Sequence, residues 1–192
     1  TKWTFVFVEP IDWLLPSLKE RVRSLGAKDD QVHIVNAAVC NSSTGSLNLH
    51  TIQAAAIDEY NLTALKKELS HLSSLDRGVV KKGIRESAIV PAHLKPVLER
   101  KVRAMPVRCV TPASLLLETQ VSPEALELLI VDAEGADVAV LRPFLAMEGF
   151  APSVVKFEWI NMERRWTDLA ETIQELASRG YNVRQEFFDL VA

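Results

Sequence analysis

The stretch Leu128-Leu129-Ile130-Val131-Asp132-Ala133-Glu134-Gly135-Ala136-Asp137 constrains this chain most. Four apolar residues in a row, cut off by two carboxylates and a glycine, have the pattern of a buried parallel strand rather than a half-exposed one. The residues after the break, 136–145, suit a helix. A buried strand running into a helix is the repeating unit of open α/β sheets, and such sheets bind ligands outside the carboxyl ends of their strands. Asp132 and Glu134 fall at that place. Trp3-Thr4-Phe5-Val6-Phe7-Val8 followed by Glu9-Pro10 repeats the pattern at the start of the chain. A carboxylate closing such a strand can accept hydrogen bonds from both hydroxyls of a ribose, so the two strand ends together suggest a site for a nucleoside-bearing cofactor.

The rest of the chain alternates in the same way. Strands are expected at 4–9, 32–39, 46–50, 107–110, 128–131, 153–158 and 181–188. Helices are expected at 11–25, 62–72, 92–102, 136–145 and 168–179, with a loop around 78–83. In the first helix Trp13, Leu14, Leu18, Val22 and Leu25 fall on one stripe, and Gly26 is placed to end it. Thr111-Pro112 has the residue types of a helix cap and first helical position, and residues 41–45 those of a turn. Such alternation implies a mostly parallel sheet with helices on both faces. With 192 residues, 48% of them hydrophobic, one domain spanning 1–192 is expected. The weakly patterned stretch 52–106 would then be an insertion, either a lid for substrate recognition or a plain helical excursion.

Several residues and motifs match one family together and in order: Phe7-Val8-Glu9-Pro10, Val35-Asn36-Ala37-Ala38-Val39, the block from Val131 to Asp137, Phe157-Glu158, and Arg179-Gly180-Tyr181-Asn182-Val183. In this the chain resembles the FkbM family of S-adenosylmethionine-dependent methyltransferases. The resemblance covers nearly the whole chain and is weakest over 61–103. It implies a Rossmann-like class I methyltransferase fold, S-adenosyl-L-methionine as cofactor, and O-methylation of a sugar or secondary-metabolite hydroxyl. It places Glu9 on the cofactor ribose, Asn36 and Ala37 near the adenine, and Asp132 beside the methionine end. Asn36 serves local backbone groups equally well. Enzymes of this class begin with a strand and a glycine-rich loop. Here none of the seven glycines forms a Gly-x-Gly cluster, the first is Gly26, and the chain opens on Thr1. A fragment without its first strand, glycine loop and first helix is therefore expected, and a degenerate domain is the alternative. On that view the strands at 4–9 and 128–131 are not direct neighbours.

The catalytic candidates are Asp132, Glu134 and Glu158. A hydroxyl acceptor must lose a proton as its oxygen is methylated, and a carboxylate with a raised pKa can take it. Three strand-end acids could instead hold a divalent cation, or simply favour a helix start by about 0.3–1 kcal/mol each; no metal ligand is assigned. Trp159 and Trp166 either line an acceptor pocket or pack in the core.

Other classes lack their signatures. No Gly-x-x-x-x-Gly-Lys-Ser/Thr loop accompanies the acidic strand, which removes nucleotide hydrolysis. The histidines His33, His50, His71 and His93 have no ligand spacing. A net charge of −3 argues against nucleic acid as the main partner, and the basic residues of 81–103 are interleaved with Glu86 and Glu99, as on a solvated helical face. A nicotinamide-dependent oxidoreductase would use Glu9 equally well but has no Tyr-Lys or His arrangement here. A non-catalytic binding domain that lost its cofactor loop is the reading from another class. Cys40 and Cys109 are expected as buried free thiols. No apolar run is long enough to span a bilayer and no signal peptide is visible. The default reading is cytoplasmic, with a small-molecule acceptor as partner and the oligomeric state open.

Overall fold

A computed structural model describes residues 3–41, 45–62, 65, 69, 71–159 and 166–192. It is an α/β structure in which seven helices are described. The chain divides into two compact units, Thr1–Ser46 with Val107–Ala192, and Leu47–Pro106. The residues expected as an insertion, 52–106, fall in the second.

In the first unit, β1 (Phe5–Val8) lies parallel to β2 (Val32–Val35), with Phe5 opposite Val32 and Val8 opposite Val35. The connection is a turn of 3-10 helix and α1 (Leu15–Ser24), which buries Val22 and ends at Gly26, at a φ of 87° that glycine adopts without strain. Leu25 is exposed rather than on the buried stripe. The strand expected over 32–39 breaks at Asn36-Ala37, where the Ala37 amide turns back to the Val35 carbonyl (3.1 Å), and resumes as β3 (Ala38–Val39). β3 pairs in parallel with the end of β5 (Val102–Val110). That pairing sets Ala38 opposite Cys109 and brings Cys40 within reach, with the two Cα atoms 5.8 Å apart. The cysteines form a disulfide, which corrects the expectation of free thiols.

Thr111 caps α5 (Pro112–Thr119) by accepting the Ser114 amide at 3.1 Å, with Pro112 at the first position. β6 (Leu128–Val131) runs parallel to β7 (Val154–Glu158), connected by α6 (Asp137–Leu145). α7 (Trp166–Ser178) then leads to a hairpin, β8 (Arg184–Glu186) and β9 (Asp189–Val191). A two-residue turn can join only antiparallel strands, so β9 returns antiparallel to β8 and lies between it and β7, giving the order β6-β7-β9-β8. This corrects two expectations: the single strand over 181–188 is a hairpin, and the sheets are mixed rather than mostly parallel. Buried Val131, Val155, Phe157 and Leu190 pack with Leu141, Phe144 and Leu145 of α6 and Leu169 and Leu176 of α7 into one core cluster.

That cluster occupies one face of the β6-β7-β9-β8 sheet. The other face carries Leu128, Ile130 and Val154, at 52%, 59% and 37% exposure, so among the described residues helices do not cover both faces here. β1 and β6 lie in different sheets, and among the described residues β1 pairs only with β2 and β6 only with β7. An open strand edge beside an uncovered apolar face invites association. The chain is expected to self-associate with rising concentration in light scattering. Ile130→Glu, set opposite Lys156, should suppress this; association unchanged by it would clear this face.

In the second unit, β4 (Ser46–Ile52) is followed by α2 (Ala54–Glu59), α3 (Arg77–Glu86) and α4 (Lys95–Lys101). The expected loop at 78–83 is helix, because Asp76 caps it by accepting the Gly78 amide at 2.6 Å and Val80 and Ile84 bury one turn apart. Its two glycines are outweighed by that cap and burial. Arg85 pairs with Glu99 and Lys101 with Glu59, both at 2.7 Å. The helix expected over 62–72 lies largely outside the described residues, as do residues 42–44 of the turn expected at 41–45.

Candidate functional site

Registered strands put opposing side chains on the same face of a sheet. Val131 lies opposite Phe157, so Asp132 continues the register towards Glu158. Glu158 lies opposite Asp189, and Asp189 opposite Glu186. Four acids thus cross the carboxyl end of β6, β7 and β8 in one row. The row below holds cations: Lys156 meets Asp189 at 2.7 Å and Arg184 meets Glu186 at 3.1 Å. These ion pairs balance the β8–β9 end, and the negative charge concentrates around Asp132 and Glu158.

Glu134 joins that pair from above. The chain leaves β6 through a tight turn in which the Ala136 amide donates to the Ala133 carbonyl (3.0 Å) and both central residues have positive φ, 49° at Glu134 and 91° at Gly135. Glycine is suited to that conformation; glutamate is not, and left-handed backbone at a non-glycine residue costs about 1–3 kcal/mol, found most often at functional sites. The turn half-buries the Glu134 carboxyl near Asp132, Glu158 and Asp137. Burial first, and then repulsion from Asp132, Glu158 and Asp137, pushes its pKa up to about 7.

Asp137 holds the turn in place. It is fully buried at the start of α6, and its carboxylate accepts three backbone N–H groups: Ala133 at 3.2 Å, Gly135 at 3.1 Å and Glu158 at 3.3 Å. One side chain therefore fixes the acidic turn and ties it to the end of β7. Burial raises its pKa, and the N–H bonds oppose that rise. No role is expected of Asp137 from the sequence; its place in the first helical turn after a Glu-Gly pair is the available signal.

The candidates at the other strand end meet each other. The Glu9 amide bonds to the Val35 carbonyl at 3.0 Å, which aligns the ends of β1 and β2. The Glu9 carboxylate accepts the Ile11 amide at 2.7 Å, and Asn36 donates its side-chain amide to the Glu9 and Pro10 carbonyls at 2.8 and 3.2 Å. Asn36 thus serves the local backbone, one of its two expected roles, while remaining exposed. Ala37 is fully buried. No strand ladder among the described residues joins this group to the Asp132 group.

Beside Glu158 the sheet edge becomes aromatic. The Trp159 amide donates to the Phe188 carbonyl at 3.1 Å, and the Trp159 and Trp166 rings lie 6.0 Å apart, tilted by 50°. Phe187 and Phe188 form the turn of the β8–β9 hairpin, at 91% and 59% exposure. A single strand over 181–188, as the sequence suggests, hides both phenylalanines, which the hairpin turn exposes.

Among the described residues no group of three or more His, Cys, Asp or Glu is arranged to hold a metal ion, and no helix is long and apolar enough to cross a membrane. In comparison with known proteins, the family model described as the Methyltransferase FkbM domain matches residues 2–183. No curated protein and no solved structure matches the chain.

Proposed function

The chain belongs to the family of FkbM methyltransferase domains, and from that premise we propose that it methylates a hydroxyl oxygen of a small-molecule acceptor with S-adenosyl-L-methionine as donor. The observation that supports the acceptor chemistry best is the Glu134 carboxyl, held near a pKa of about 7 among Asp132, Glu158 and Asp137. A base works best when its pKa lies close to the working pH.

The donor would supply an electrophilic methyl group on a sulfonium. Glu9 fits such a group by its chemistry: a half-buried carboxylate at a strand end, steadied by the Ile11 amide, offers the acceptor oxygens that a ribose diol requires. Asn36, which is exposed, would border the adenine and Asp132 the methionine end, whereas Ala37 is fully buried and offers the adenine no surface. The acceptor proton would pass to a Glu134 oxygen as the methyl carbon bonds to the acceptor oxygen and its bond to sulfur breaks, with S-adenosylhomocysteine as the leaving group. Burial, and then repulsion of its ionised form by Asp132 and Glu158, keeps Glu134 basic, because protonation relieves both, and Asp137 ties the turn to the end of β7 through its three N–H contacts. Holding the partners in contact would provide much of the rate.

Two measurements test this. The chain with methyl-labelled S-adenosylmethionine, offered a panel of hydroxyl acceptors, should transfer label to oxygen. Glu9→Gln should weaken S-adenosylhomocysteine binding, by calorimetry, by about 1.5–3 kcal/mol, the range for a hydrogen bond to a charged group. Unaltered affinity would remove Glu9 from the cofactor, and label appearing only on nitrogen or carbon would overturn the choice of oxygen.

A further inference from the structure

We propose that the Cys40–Cys109 disulfide is a reversible thiol–disulfide exchange site, opened by a dithiol, and that its state sets how firmly the chain holds its cofactor. The cofactor part rests on the methyltransferase reading and adds a control that acts on it; the exchange site stands without it.

Its place in the chain comes first. The chain leaves the first compact unit after Ser46 and rejoins it at Val107. Cys40 precedes that exit and Cys109 follows that return, so the bond closes a loop across 69 residues that contains the whole second unit. A cross-link constrains an open chain more as its loop lengthens. The other ties at this point are few. β3 has two residues and pairs with β5 at two positions, Ala38 with Cys109 and Val39 with Val110. The Cys40 amide adds one bond to the Val110 carbonyl at 2.8 Å. So short a ladder is marginal by itself, and the disulfide is what fixes it.

The two sulfurs differ in access. Cys109 is buried at 8% exposure, whereas Cys40 is half-buried just past the end of β3. A dithiol therefore attacks at Cys40. Its thiolate bonds to the Cys40 sulfur as the Cys40–Cys109 bond breaks, and Cys109 leaves with the electron pair. The second thiolate of the dithiol then closes onto the first, which releases Cys40. Two electrons pass from the dithiol to the protein, and the two protons that the dithiol lost end on Cys40 and Cys109.

Reduction opens the site locally. Val35, Ala37 and Val110 stay anchored in the buried core cluster, and β5 keeps its other neighbour, β4. The stretch that is released runs from Ala38 through Cys40. Asn36, proposed to border the adenine, adjoins that stretch while its side-chain amide holds the Glu9 and Pro10 carbonyls. Loosening β3 thus loosens the backbone that carries Asn36.

The test titrates the full chain with mixtures of reduced and oxidised dithiothreitol and follows thiol content, amide exchange and, by calorimetry, S-adenosylhomocysteine binding. Two thiols should appear together in the folded chain. Exchange of the Cys40 amide should quicken by at least about tenfold, while the amides of β6 and β7 keep their protection. Cys40→Ser should show the fast exchange with or without dithiothreitol. S-adenosylhomocysteine should bind about tenfold more weakly to the reduced chain, and by linkage should raise the dithiothreitol ratio needed for half-reduction by the same factor. Thiols that appear only when β6 and β7 also lose protection, or a Cys40 amide indifferent to reduction, overturn the exchange site. Faster exchange at Cys40 with equal cofactor affinity in both states rejects the cofactor coupling alone. The same faster exchange in a chain that binds no S-adenosylhomocysteine in either state rejects the methyltransferase reading alone.

Discussion

Asp137→Ala is expected to lower stability by about 3–5 kcal/mol, the range for removing one partner from a buried charged network. The carboxylate is fully buried and satisfies the amides of Ala133, Gly135 and Glu158. Each bond of an amide to a charged acceptor contributes about 1.5–3 kcal/mol, and a buried amide left bare costs about 1–3 kcal/mol. Relief of the carboxylate's own burial, visible in its raised pKa, offsets part of that sum. Asp137→Asn separates the contributions. Ala133 and Glu158 both donate to Oδ1, which asparagine can keep, whereas Gly135 donates to Oδ2, where asparagine would present an N–H. The amide variant should therefore lose about 1–2 kcal/mol, one unmade bond. Urea unfolding measures both, and faster exchange of the Glu158 amide in the alanine variant would locate the damage. A midpoint unchanged by alanine would show that the turn holds itself together.

The strands that uninterrupted apolar runs mark were legible: β1, β6 and β7 lie within a residue or so of their expected ends, where a carboxylate cuts the run, whereas the strand expected over 32–39 stops at Val35 because the backbone turns at Asn36-Ala37. Where several local signals agreed, as at Thr111-Pro112, so did the helix start. The errors fell where long-range pairing overrides local pattern. Tyr181 to Phe188 looks like one strand because its residues favour extended backbone, and only the pairing of Glu186 with Asp189 reveals the turn between them. Gly78 and Gly83 suggested a loop because glycine lowers helix propensity, but the Asp76 cap and the burial of Val80 and Ile84 decide the outcome. The Cys40–Cys109 bond depends on β3–β5 pairing across 69 residues, which composition cannot reveal. At the site, the three acids were visible as strand-end carboxylates. Asp137 was not, because its role lies in which amides it reaches, and that follows from the left-handed turn rather than from spacing.

Glu134→Gln is expected to reduce methyl transfer by about 10²–10⁴-fold, the contribution of a positioned base, while making the folded chain more stable above neutral pH. Both effects follow from the same carboxyl. Its pKa rises from 4.5 to about 7 on folding, so between those values the folded chain holds a proton that the unfolded chain has released. Stability then falls as pH rises through 4.5–7, because the unfolded state binds fewer protons there. A shift of this size corresponds to about 3 kcal/mol at 1.36 kcal/mol per unit; the carboxyl is only half-buried, and solvent screening reduces this to about 1–2 kcal/mol. Glutamine carries no charge, so denaturation curves of the two proteins should coincide below pH 4.5 and separate above pH 7, with the variant the more stable. Activity should run the other way. The parent's rate, measured with the acceptor found in the labelled panel, should climb through pH 7 as Glu134 loses its proton and then level off, while the variant stays low and lacks that inflection. A stable variant that kept the inflection would transfer the base role to Glu158 or Asp132, and an inflection lost without any gain in stability would mean that Glu134 titrates only with substrate bound.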